Sequence, residues 1–301
     1  MKYFTSKILM ISPNKFRNNE LTISDNVFQL KKQKESKVES LALKEFDRLR
    51  NTISKSGVNV FSFDDDSNFD TPDAVFPNNW ISFHYPNSAV IYPMYAYNRR
   101  FERDSKVLKK LSNCGINIKL IKDYSKYENE NKFLEGTGSI VLDRRTQTAY
   151  CSISKRSNLD LFKKFCQDMN YTPVVFNSSF ESKPIYHTNV MMSVCNDFVI
   201  ISLDTIYDIK ERQNIIKNLD NSGLKIIDIT LEQMTSFLGN CIQLVNSDLS
   251  PILVMSSRAY KSITRTQLKE IESFTDIIHS DIQTIENNGG GSARCMIAEI
   301  F

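Results

Sequence analysis

The alternation of apolar and polar positions along the chain predicts a repeated unit of helix, tight turn and strand. In the first unit, a helix from about Ser40 to Lys55 has apolar side chains near helical spacing, a turn follows at Gly57, and the stretch Val58–Phe63 predicts a strand. Similar turns follow at Gly115, Asn170 and Gly223 and near position 277. The interval is therefore 53 to 58 residues, which is typical of a repeat architecture.

Each later turn also leads into an apolar stretch that we expect to form a strand. These stretches are Ile116–Ile121, Thr172–Phe176 after a helix over Leu159–Met169, Leu224–Ile229, and Ile282–Ile285 after a helix over Thr266–Phe274. Two further apolar stretches follow in every unit except the last, where only Met296–Phe301 remains. The isolated N-terminal strand Lys7–Ser12, which Pro13 terminates, is its expected partner.

A polar tip lies 16 to 20 residues beyond each turn, and most of the tips carry reactive side chains: Asp73, Glu135, His187, Asn240 and Cys295. A repeat of this length that is completed by a terminal strand predicts a ring of units, and the helix in every unit argues against an all-β propeller. We therefore predict an α/β fold in a single domain over residues 1–301. It would be a five-bladed α/β propeller of ββαβ units with pseudo-fivefold symmetry, whose tips converge on one central site.

Composition places the chain among ordinary globular proteins. Of its 301 residues, 41% are hydrophobic and 24% are charged, and a formal net charge of +3 gives no indication of nucleic-acid binding. The first apolar run, Ile8–Ile11, is too short for the hydrophobic part of a signal peptide, and no apolar run reaches the 18 residues of a membrane span. We therefore expect a cytoplasmic protein with neither a nucleic-acid nor a membrane partner.

The six cysteines and three histidines limit the chemistry. The cysteines show neither CxxC pairs nor the ligand spacing of a zinc site, so we expect reduced thiols and no metal or organic cofactor. Any reaction that needs an imidazole has to use His84, His187 or His279. The basic run from Lys31 to Lys37 is typical of a solvated helix face or a flexible loop, and whether residues 29–40 cover the site as a lid stays open.

Glycines concentrate at two of the tips. Five of the nine glycines lie at positions 136, 138 and 289–291, where the backbone is expected to turn tightly or approach another group closely. Cys295 follows the second cluster, which suits an exposed nucleophile; the alternative is a buried cysteine beside a tight turn. Convergence of the tips would bring Cys295 to His187, with the carboxylates Glu135 and Asp73 beside them. Thiol, imidazole and carboxylate are the groups of a nucleophilic site with an acid–base partner.

Four motifs resemble those of the guanidino-group-modifying enzymes, which include arginine deiminases, dimethylarginine hydrolases and amidinotransferases. They are Pro72–Trp80 (PDAVFPNNW), Glu135–Ser139 (EGTGS), Tyr186–Met192 (YHTNVMM) and Gly289–Met296 (GGGSARCM). The resemblance extends from Asn26 to the C-terminus, and the branch that the chain resembles most is that of citrulline-hydrolysing enzymes. It implies the fold of this superfamily, the pentein, which is an α/β propeller of five ββαβ units.

The resemblance also implies residue roles. Cys295 would be the nucleophile, His187 the general acid and base, and Glu135 the carboxylate that orients or charges the imidazole. It also implies that Asp73 contacts the substrate. Arg156, together with either Arg99 or its neighbour Arg100, matches arginines that bind the α-carboxylate of the substrate.

Two departures from the deiminase pattern concern the substrate. Asn78 and Asn79 occupy the place where guanidine-binding members carry a carboxylate, and Asn189 replaces the aspartate of a His-x-Asp motif. A guanidinium is a permanent cation with donors only, so its site requires carboxylates. A ureido group is neutral and has an acceptor oxygen, so amides can serve it, whereas a buried carboxylate facing it would lack a counter-charge. If these asparagines line the pocket, both changes favour a ureido substrate.

We therefore predict a citrullinase-like C–N hydrolase that acts on the ureido group of L-citrulline through a covalent thiol mechanism. The products would be L-ornithine, ammonia and carbon dioxide. Its partner would be this small amino-acid substrate, and whether it forms a homo-oligomer stays open. The first alternative is hydrolysis of arginine or a methylarginine to citrulline by the same three residues. The second is a catalytically silent propeller that only binds a ligand, in which Cys295 would be unreactive.

Overall fold

The computed structural model describes residues 3–23, 26, 28–29, 37–103 and 106–301, which form short strands and helices. Positions 30–36, which include most of the basic run and most of the segment whose role as a lid was left open, lie outside these residues. The strands are β1 (Lys7–Ser12), β2 (Asn59–Asp64), β3 (Ile81–His84), β4 (Ser88–Ile91), β5 (Lys119–Asp123), β6 (Val141–Asp143), β7 (Thr148–Ser152), β8 (Thr172–Phe176), β9 (Ser179–Phe180), β10 (Lys183–Pro184), β11 (Met192–Val194), β12 (Phe198–Ile201), β13 (Lys225–Asp228), β14 (Ile242–Val245), β15 (Pro251–Ser256), β16 (Asp276–Ser280) and β17 (Ala298–Glu299). The helices are α1 (Val38–Lys55), α2 (Val107–Asn113), α3 (Gly136–Ser139), α4 (Leu159–Met169), α5 (Ile209–Asn221), α6 (Leu231–Thr235), α7 (Ser257–Ser262), α8 (Arg265–Glu272) and α9 (Gln283–Gly289).

Among the described residues, five three-stranded sheets share one topology. Their strand orders are β17-β1-β2, β3-β4-β5, β6-β7-β8, β11-β12-β13 and β14-β15-β16. In each sheet the middle strand pairs antiparallel with one neighbour and parallel with the other. Parallel neighbours need a crossover connection, and helices provide it: α1, α2, α4, α5, and α7 with α8. The predicted order of strand, strand, helix and strand is thus confirmed, and the fold is mixed α/β.

The N-terminal strand completes the last sheet, as the sequence predicted. Ile8 and Leu9 of β1 pair antiparallel with Glu299 and Ala298 of β17, and the whole of β1 pairs parallel with β2. Only Ala298–Glu299 of the predicted final strand has strand geometry. The first and last parts of the chain are therefore joined in one sheet.

The turns that define the repeat share a backbone conformation. Gly57, Gly115, Asn170 and Gly223 all have positive φ, with values of 92°, 81°, 58° and 69°. Each follows a helix, where a residue in the left-handed region ends the helical hydrogen bonding and redirects the chain. Asparagine tolerates this conformation better than most residues, which explains why it serves in place of glycine at position 170.

One predicted strand is wrong. Ile282–Ile285 does not form a strand: β16 ends at Ser280, and α9 begins at Gln283. Ile282 and Ile285 are both buried, and their separation of three residues fits one face of a helix as well as it fits a short strand. The carboxylate of Glu45, in α1, accepts hydrogen bonds from the backbone N–H groups of Thr284 and Ile285 and so stabilises the start of α9. A contact with a distant helix thus selects the helical form.

Several sheets that follow one another along the chain are in contact. Strand β17 contacts β3, β6 contacts β11, and β11 contacts β14. The backbone N–H of Val245, in β14, donates to the carbonyl oxygen of Thr5, just before β1. Among the described residues, no helix combines the length and the apolar character that a membrane crossing requires.

Candidate active site

One cavity brings together side chains from tips that are far apart in the sequence. Its described lining residues are Thr22, Asn26, Asp73, Phe76, Asn79, Arg99, Arg156, Tyr186, His187, Gly289, Gly291 and Cys295. Six of them are site residues predicted from the sequence: Asp73, Asn79, Arg99, Arg156, His187 and Cys295. The cavity measures only about 10 Å³, about the space of one water, so an amino acid can occupy it only after the surrounding side chains move.

His187 and Glu135 form a buried pair in this site. His187 Nε2 lies 2.7 Å from Glu135 Oε2. Burial by itself opposes ionisation of Glu135, but Arg156, His187 and Arg99 outweigh it and hold the pKa of this carboxyl well below its usual range. Burial lowers the pKa of His187, against the opposite effect of Glu135. A neutral imidazole that donates from Nε2 to ionised Glu135 keeps Nδ1 as a proton acceptor, which is what a general base requires.

Cys295 is buried, so the prediction of an exposed nucleophile is wrong. It belongs to a buried cluster that includes Phe76, lies close to Gly291, and is only 3% exposed. The sulfur accepts hydrogen bonds from Asn240 Nδ2 at 3.2 Å and Asn189 Nδ2 at 3.4 Å. Burial raises the pKa of the thiol, and the amide donors oppose that increase. At neutral pH the resting site therefore holds a thiol together with a neutral imidazole.

Asn240 links three of the tips, although the sequence suggested no role for it. Its Nδ2 also donates to the carbonyl oxygen of Asn189 at 2.9 Å. Its Oδ1 accepts from the backbone N–H of Ser292 at 3.1 Å and of Cys295 at 3.4 Å. The signal in the sequence is the glycine before it, because a Cβ at Gly239 would lie 2.5 Å from the backbone of the neighbouring tip. The fourth tip thus holds the third and the fifth together.

The structure distinguishes Arg99 from Arg100. Arg99 lines the cavity; its Nε and Nη2 donate to the two oxygens of Glu102, and its Nη1 donates to Asn79 Oδ1 at 2.9 Å. Arg100 does not line the cavity, packs over aromatic rings and donates to the carbonyl oxygen of Met94. Of the two, Arg99 is therefore placed to meet a substrate, and Glu102, which the sequence did not single out, orients it.

Asp73 and Arg156 present opposite charges to the cavity. Asp73 Oδ2 accepts from Asn19 Nδ2 at 2.7 Å, whereas its Oδ1 is buried without a hydrogen-bond partner among the described residues. Burial raises the pKa of Asp73. The guanidinium of Arg156 stacks 4.8 Å from the ring centre of Tyr186, with Nη1 3.6 Å from Glu135 Oε2. An unsatisfied acceptor and a guanidinium in one cavity suit the ammonium and carboxylate groups of an amino acid.

The three predicted asparagines occupy two positions relative to the cavity. Asn79 lines it, with Oδ1 bonded to Arg99 and Nδ2 donating to Asn78 Oδ1 at 3.0 Å. Asn78 and Asn189 are buried and lie outside the lining: Asn78 is next to Asn79, and Asn189 is next to the sulfur of Cys295. Asn79 therefore lines the cavity and the other two do not, and contact of any of the three with a substrate stays a prediction.

The glycines of the EGTG motif allow this close packing. A Cβ on Gly138 would lie 2.5 Å from Asn79 Nδ2 and 2.8 Å from His187 Nδ1. Gly136 has a φ of 47°, and a Cβ there would lie 2.3 Å from the carbonyl oxygen of Asn78. Any larger residue at these positions would push the imidazole and the asparagines apart.

Polar side chains of the N-terminal loop complete the cavity, and the sequence did not suggest them. Thr22 and Asn26 line it, and Asn26 Nδ2 donates to the carbonyl oxygen of Gly289 at 3.2 Å. Gln29 Nε2 donates to the carbonyl oxygen of Asn288 at 2.8 Å. The available signal was the abundance of asparagine in this loop, but a surface turn has the same composition.

Glu286 supports the loop that carries Cys295 and predicts a pH-dependent stability. Its Oε1 accepts from Ser292 Oγ at 2.6 Å, and burial raises its pKa from 4.5 to about 7. Because the folded-state pKa is the higher one, this carboxyl favours folding most below pH 4.5, and that contribution is lost as the pH rises to 7. Glu286→Gln keeps an acceptor for Ser292 without the charge. We expect its Tm to exceed that of the wild type by roughly 5 °C at pH 8 and to equal it at pH 4.5.

Differential scanning calorimetry at the two pH values measures this difference. Glu272→Gln is the matched control, since Glu272 is exposed and its substitution should leave the Tm unchanged at both. An equal Tm difference at pH 4.5 and pH 8, or a lower Tm of the variant at pH 8, would show that Glu286 is not a buried ionisable group in solution.

A comparison with models of protein families matches a region of the chain that contains all four motifs. The model of the family described as N,N dimethylarginine dimethylhydrolase, eukaryotic, matches residues 12–301. No curated protein sequence is significantly similar to the chain.

Solved structures show the same fold. The N-terminal domain of ArgZ, covalently bound to a reaction intermediate, has a TM-score of 0.76 at 17% identity, covering 98% of this chain and 97% of that one. ArgZ is described as an arginine dihydrolase from the ornithine–ammonia cycle in cyanobacteria. Unliganded AgrE has a TM-score of 0.75 at 17% identity, covering 98% of this chain and 39% of that one. A dimethylarginine dimethylaminohydrolase with an S-methyl-L-thiocitrulline adduct has a TM-score of 0.64 at 14% identity, covering 99% and 100%.

Proposed function

The chain belongs to the eukaryotic N,N-dimethylarginine dimethylhydrolase family, within the guanidino-group-modifying superfamily, and from this premise we propose that it is a cysteine-dependent C–N hydrolase of an arginine-derived amino acid. The observation that carries the proposal is the cavity itself. A thiol, an imidazole and two guanidinium groups line it, and a carboxylate is bonded to the imidazole. Thiol and imidazole supply a nucleophile and an acid–base group, and the guanidinium groups supply a grip on a carboxylate.

The first half of the reaction forms a covalent intermediate. Arg156 and Arg99 hold the α-carboxylate of the substrate, and Asp73 Oδ1 accepts from its α-ammonium group. The thiol of Cys295 gives its proton to the neutral imidazole of His187, and the resulting thiolate attacks the terminal ureido or guanidino carbon. His187 protonates the amine that leaves, and the carbon stays bonded to sulfur. Such carbons are poor electrophiles, so the fixed geometry of the bound substrate removes much of the barrier.

The second half releases the product. His187, which gave its proton to the leaving amine, takes one from a water molecule, and the resulting hydroxide attacks the carbon on sulfur. The thiolate of Cys295 leaves and takes this proton back from His187, which restores the thiol and the neutral imidazole for another substrate. With L-citrulline and one water the products are L-ornithine, ammonia and carbon dioxide; with L-arginine and one water they are citrulline and ammonia.

We propose L-citrulline as the substrate because of Asn79. Its Oδ1 is bonded to Arg99, which fixes the orientation of the amide. One N–H of its Nδ2 donates to Asn78, and the other is available to a substrate. The oxygen of a ureido group can accept that bond, whereas a guanidinium has no acceptor.

The charges around the cavity favour the alternative substrate, arginine or a methylarginine. Three carboxyl groups (Asp73, Glu102 and Glu135) lie with two guanidinium groups (Arg99 and Arg156). If all are ionised, one negative charge is in excess, and it suits the additional positive charge of arginine.

A panel of substrates tests these assignments. The purified protein is incubated with L-citrulline, L-arginine, methylarginines and agmatine, and ornithine, citrulline and ammonia are measured. Ornithine from citrulline supports the first substrate, and citrulline from arginine or methylarginines supports the alternative. No product from any compound, together with a Cys295 that iodoacetamide does not alkylate, supports a protein that only binds a ligand.

The substitution Asn79→Asp tests the contact on which the choice of citrulline depends. The sequence suggested that an aspartate here would lack a cation, but Arg99 lies 2.9 Å away and would pair with it. The expected loss therefore comes from the missing N–H donor, and from a carboxylate oxygen placed beside Asn78 Oδ1. We expect kcat/KM for citrulline to fall by roughly 10- to 100-fold, and the inhibition constant of arginine to improve because negative charge is added.

Kinetic measurements on both compounds decide the outcome. Asn113→Asp, at an exposed asparagine, is the control and should behave as the wild type. If citrulline turnover is unchanged and arginine binds no better in Asn79→Asp, Asn79 does not contact the terminal group of the substrate.

We also propose that the five sheets are five units of one domain about a pseudo-fivefold axis. The shared strand order and the contacts between neighbouring sheets support this arrangement. It would explain why the residues of all five tips, Asp73, Glu135, His187, Asn240 and Cys295, lie together. An experimental structure whose sheets are not related by successive rotations of about one fifth of a turn would contradict it.

A further inference from the structure

Cys295 obtains its hydrogen bonds from amides and not from an imidazole. Among the described residues, Sγ bonds only to the side chains of Asn240 and Asn189, while Nε2 of His187 is bonded to Glu135. Burial raises the pKa of this thiol, so a group that stabilises the anion is needed before the sulfur can attack. The imidazole of the resting site is neutral and does not supply that stabilisation.

We propose that Asn240, together with Asn189, forms an amide cradle that stabilises the Cys295 thiolate, and that Asn240 is thereby a catalytic residue. This inference rests on the proposed function, since it assigns a partner to the nucleophile of that reaction. With this cradle, stabilisation of the thiolate and proton transfer to the reacting groups are carried out by different side chains. The amides stabilise the thiolate, and the His187–Glu135 pair moves protons at the leaving group and at water.

The orientation of the Asn240 amide is fixed by four hydrogen bonds. Oδ1 accepts from two backbone N–H groups, those of Ser292 and Cys295, so this end of the amide has to be the oxygen. Nδ2 consequently faces the sulfur and the carbonyl oxygen of Asn189, and both of its N–H groups are used. Asn240 is fully buried, so water cannot replace these bonds. The donor is thus held in place before the thiol ionises, which is the condition for efficient electrostatic stabilisation.

The loop that carries the nucleophile is built onto the same amide. Ser292, three residues before Cys295, bonds through its backbone to Asn240 and through its hydroxyl to Glu286. Asn240 therefore both positions the sulfur and donates to it. A purely structural residue would share the first property, so the decisive measurement has to report the ionisation of the thiol.

The substitution Asn240→Asp separates the two properties. A carboxylate has the shape of the amide and keeps acceptors for the N–H groups of Ser292 and Cys295, but it removes the donor to sulfur and adds a negative charge. Both changes disfavour the thiolate. We expect the midpoint of the pH profile for alkylation of Cys295 by iodoacetamide to rise by about one unit or more, which lowers its rate at pH 8 by about tenfold.

Peptide mass spectrometry of the whole protein, alkylated between about pH 6 and pH 10, measures this rate at each cysteine separately. Cys114 is exposed and serves as the reference in the same tube, because its profile should not change. Asn221→Asp, at an exposed asparagine, is the control for an added charge. An unchanged Cys295 midpoint in folded Asn240→Asp would overturn the inference.

A second variant covers the case in which Asn240→Asp does not fold, as judged by circular dichroism. Asn189→Asp places a charge at the other amide that donates to the sulfur and should also raise the midpoint. If folded Asn189→Asp leaves the midpoint unmoved, the cradle is refuted while Cys295 stays reactive and the proposed function stands. If Cys295 of the wild type reacts no faster than the buried Cys151 and Cys166 at any pH, both the inference and the proposed function are wrong.

Discussion

Cys295→Ala is expected to abolish hydrolysis of whichever substrate the wild type accepts, by about 10⁴-fold or more, while the protein stays folded. The sulfur lines the cavity and is held by Asn240 and Asn189, so its removal takes away the atom that bonds to the substrate. A methyl group fits the space of the thiol, and the loop keeps its backbone hydrogen bonds. The measurement is the steady-state rate of ammonia release, with circular dichroism as the test of folding.

Three other cysteines provide matched controls. Alanine at Cys114, Cys151 or Cys166 should leave most of the activity, because Cys114 is exposed and the other two are buried elsewhere. A normal rate in Cys295→Ala would end the covalent mechanism. Equal losses in all four variants would point to general destabilisation instead.

Loss of the His187–Glu135 pair has the second largest expected effect. His187→Ala should lower kcat by on the order of 10²-fold or more, because neither the leaving amine nor the attacking water then has a positioned proton carrier. Glu135→Gln keeps the shape of the side chain and should cause a loss of similar order. It removes the anion that orients the imidazole and that lies 3.7 Å from Arg99 and 3.6 Å from Arg156.

The pH profile of kcat distinguishes the two substitutions from a general loss of structure. We expect the acidic limb of the wild-type profile to disappear in His187→Ala, because the residue responsible for it is gone. His279→Ala is the control, since His279 stacks on Tyr260 away from the cavity. Retained activity in both His187→Ala and Glu135→Gln would mean that these two tips do not act on the substrate.

The repeat was the part of the fold that the sequence revealed best. The left-handed turns at Gly57, Gly115 and Gly223 favour glycine, which can be recognised in the sequence, and the apolar strands that follow them recur at a regular interval. Ile282–Ile285 was assigned wrongly because four residues with apolar ends fit a strand and a helical turn equally well. The contact that decides between them comes from Glu45, which is more than two hundred residues away.

The sequence predicts which tips form the site, but it does not predict the hydrogen bonds between their side chains. Cys295, His187 and Glu135 have distinctive chemistry and neighbouring glycines, so the sequence singles them out. Asn240 acts through hydrogen bonds to the third and fifth tips, and Glu102 acts through two bonds to Arg99, but asparagine or glutamate in a loop has many ordinary explanations. The burial of Cys295 was also not predictable, because it depends on how closely Phe76 and the glycine loop pack.

The central claim is that Cys295 forms a covalent bond with the carbon of the substrate, and mass spectrometry of acid-quenched reactions tests it most directly. Wild type, His187→Ala and Cys295→Ala are mixed with citrulline or arginine, quenched within seconds, digested and analysed. The account predicts a substrate-derived adduct on the peptide that contains Cys295 in the wild type and none in Cys295→Ala. In His187→Ala, which lacks the proton carrier for both steps, the adduct should form and decay more slowly. Turnover by the wild type with no adduct on Cys295 at any quench time, in either protein that retains the thiol, would contradict it.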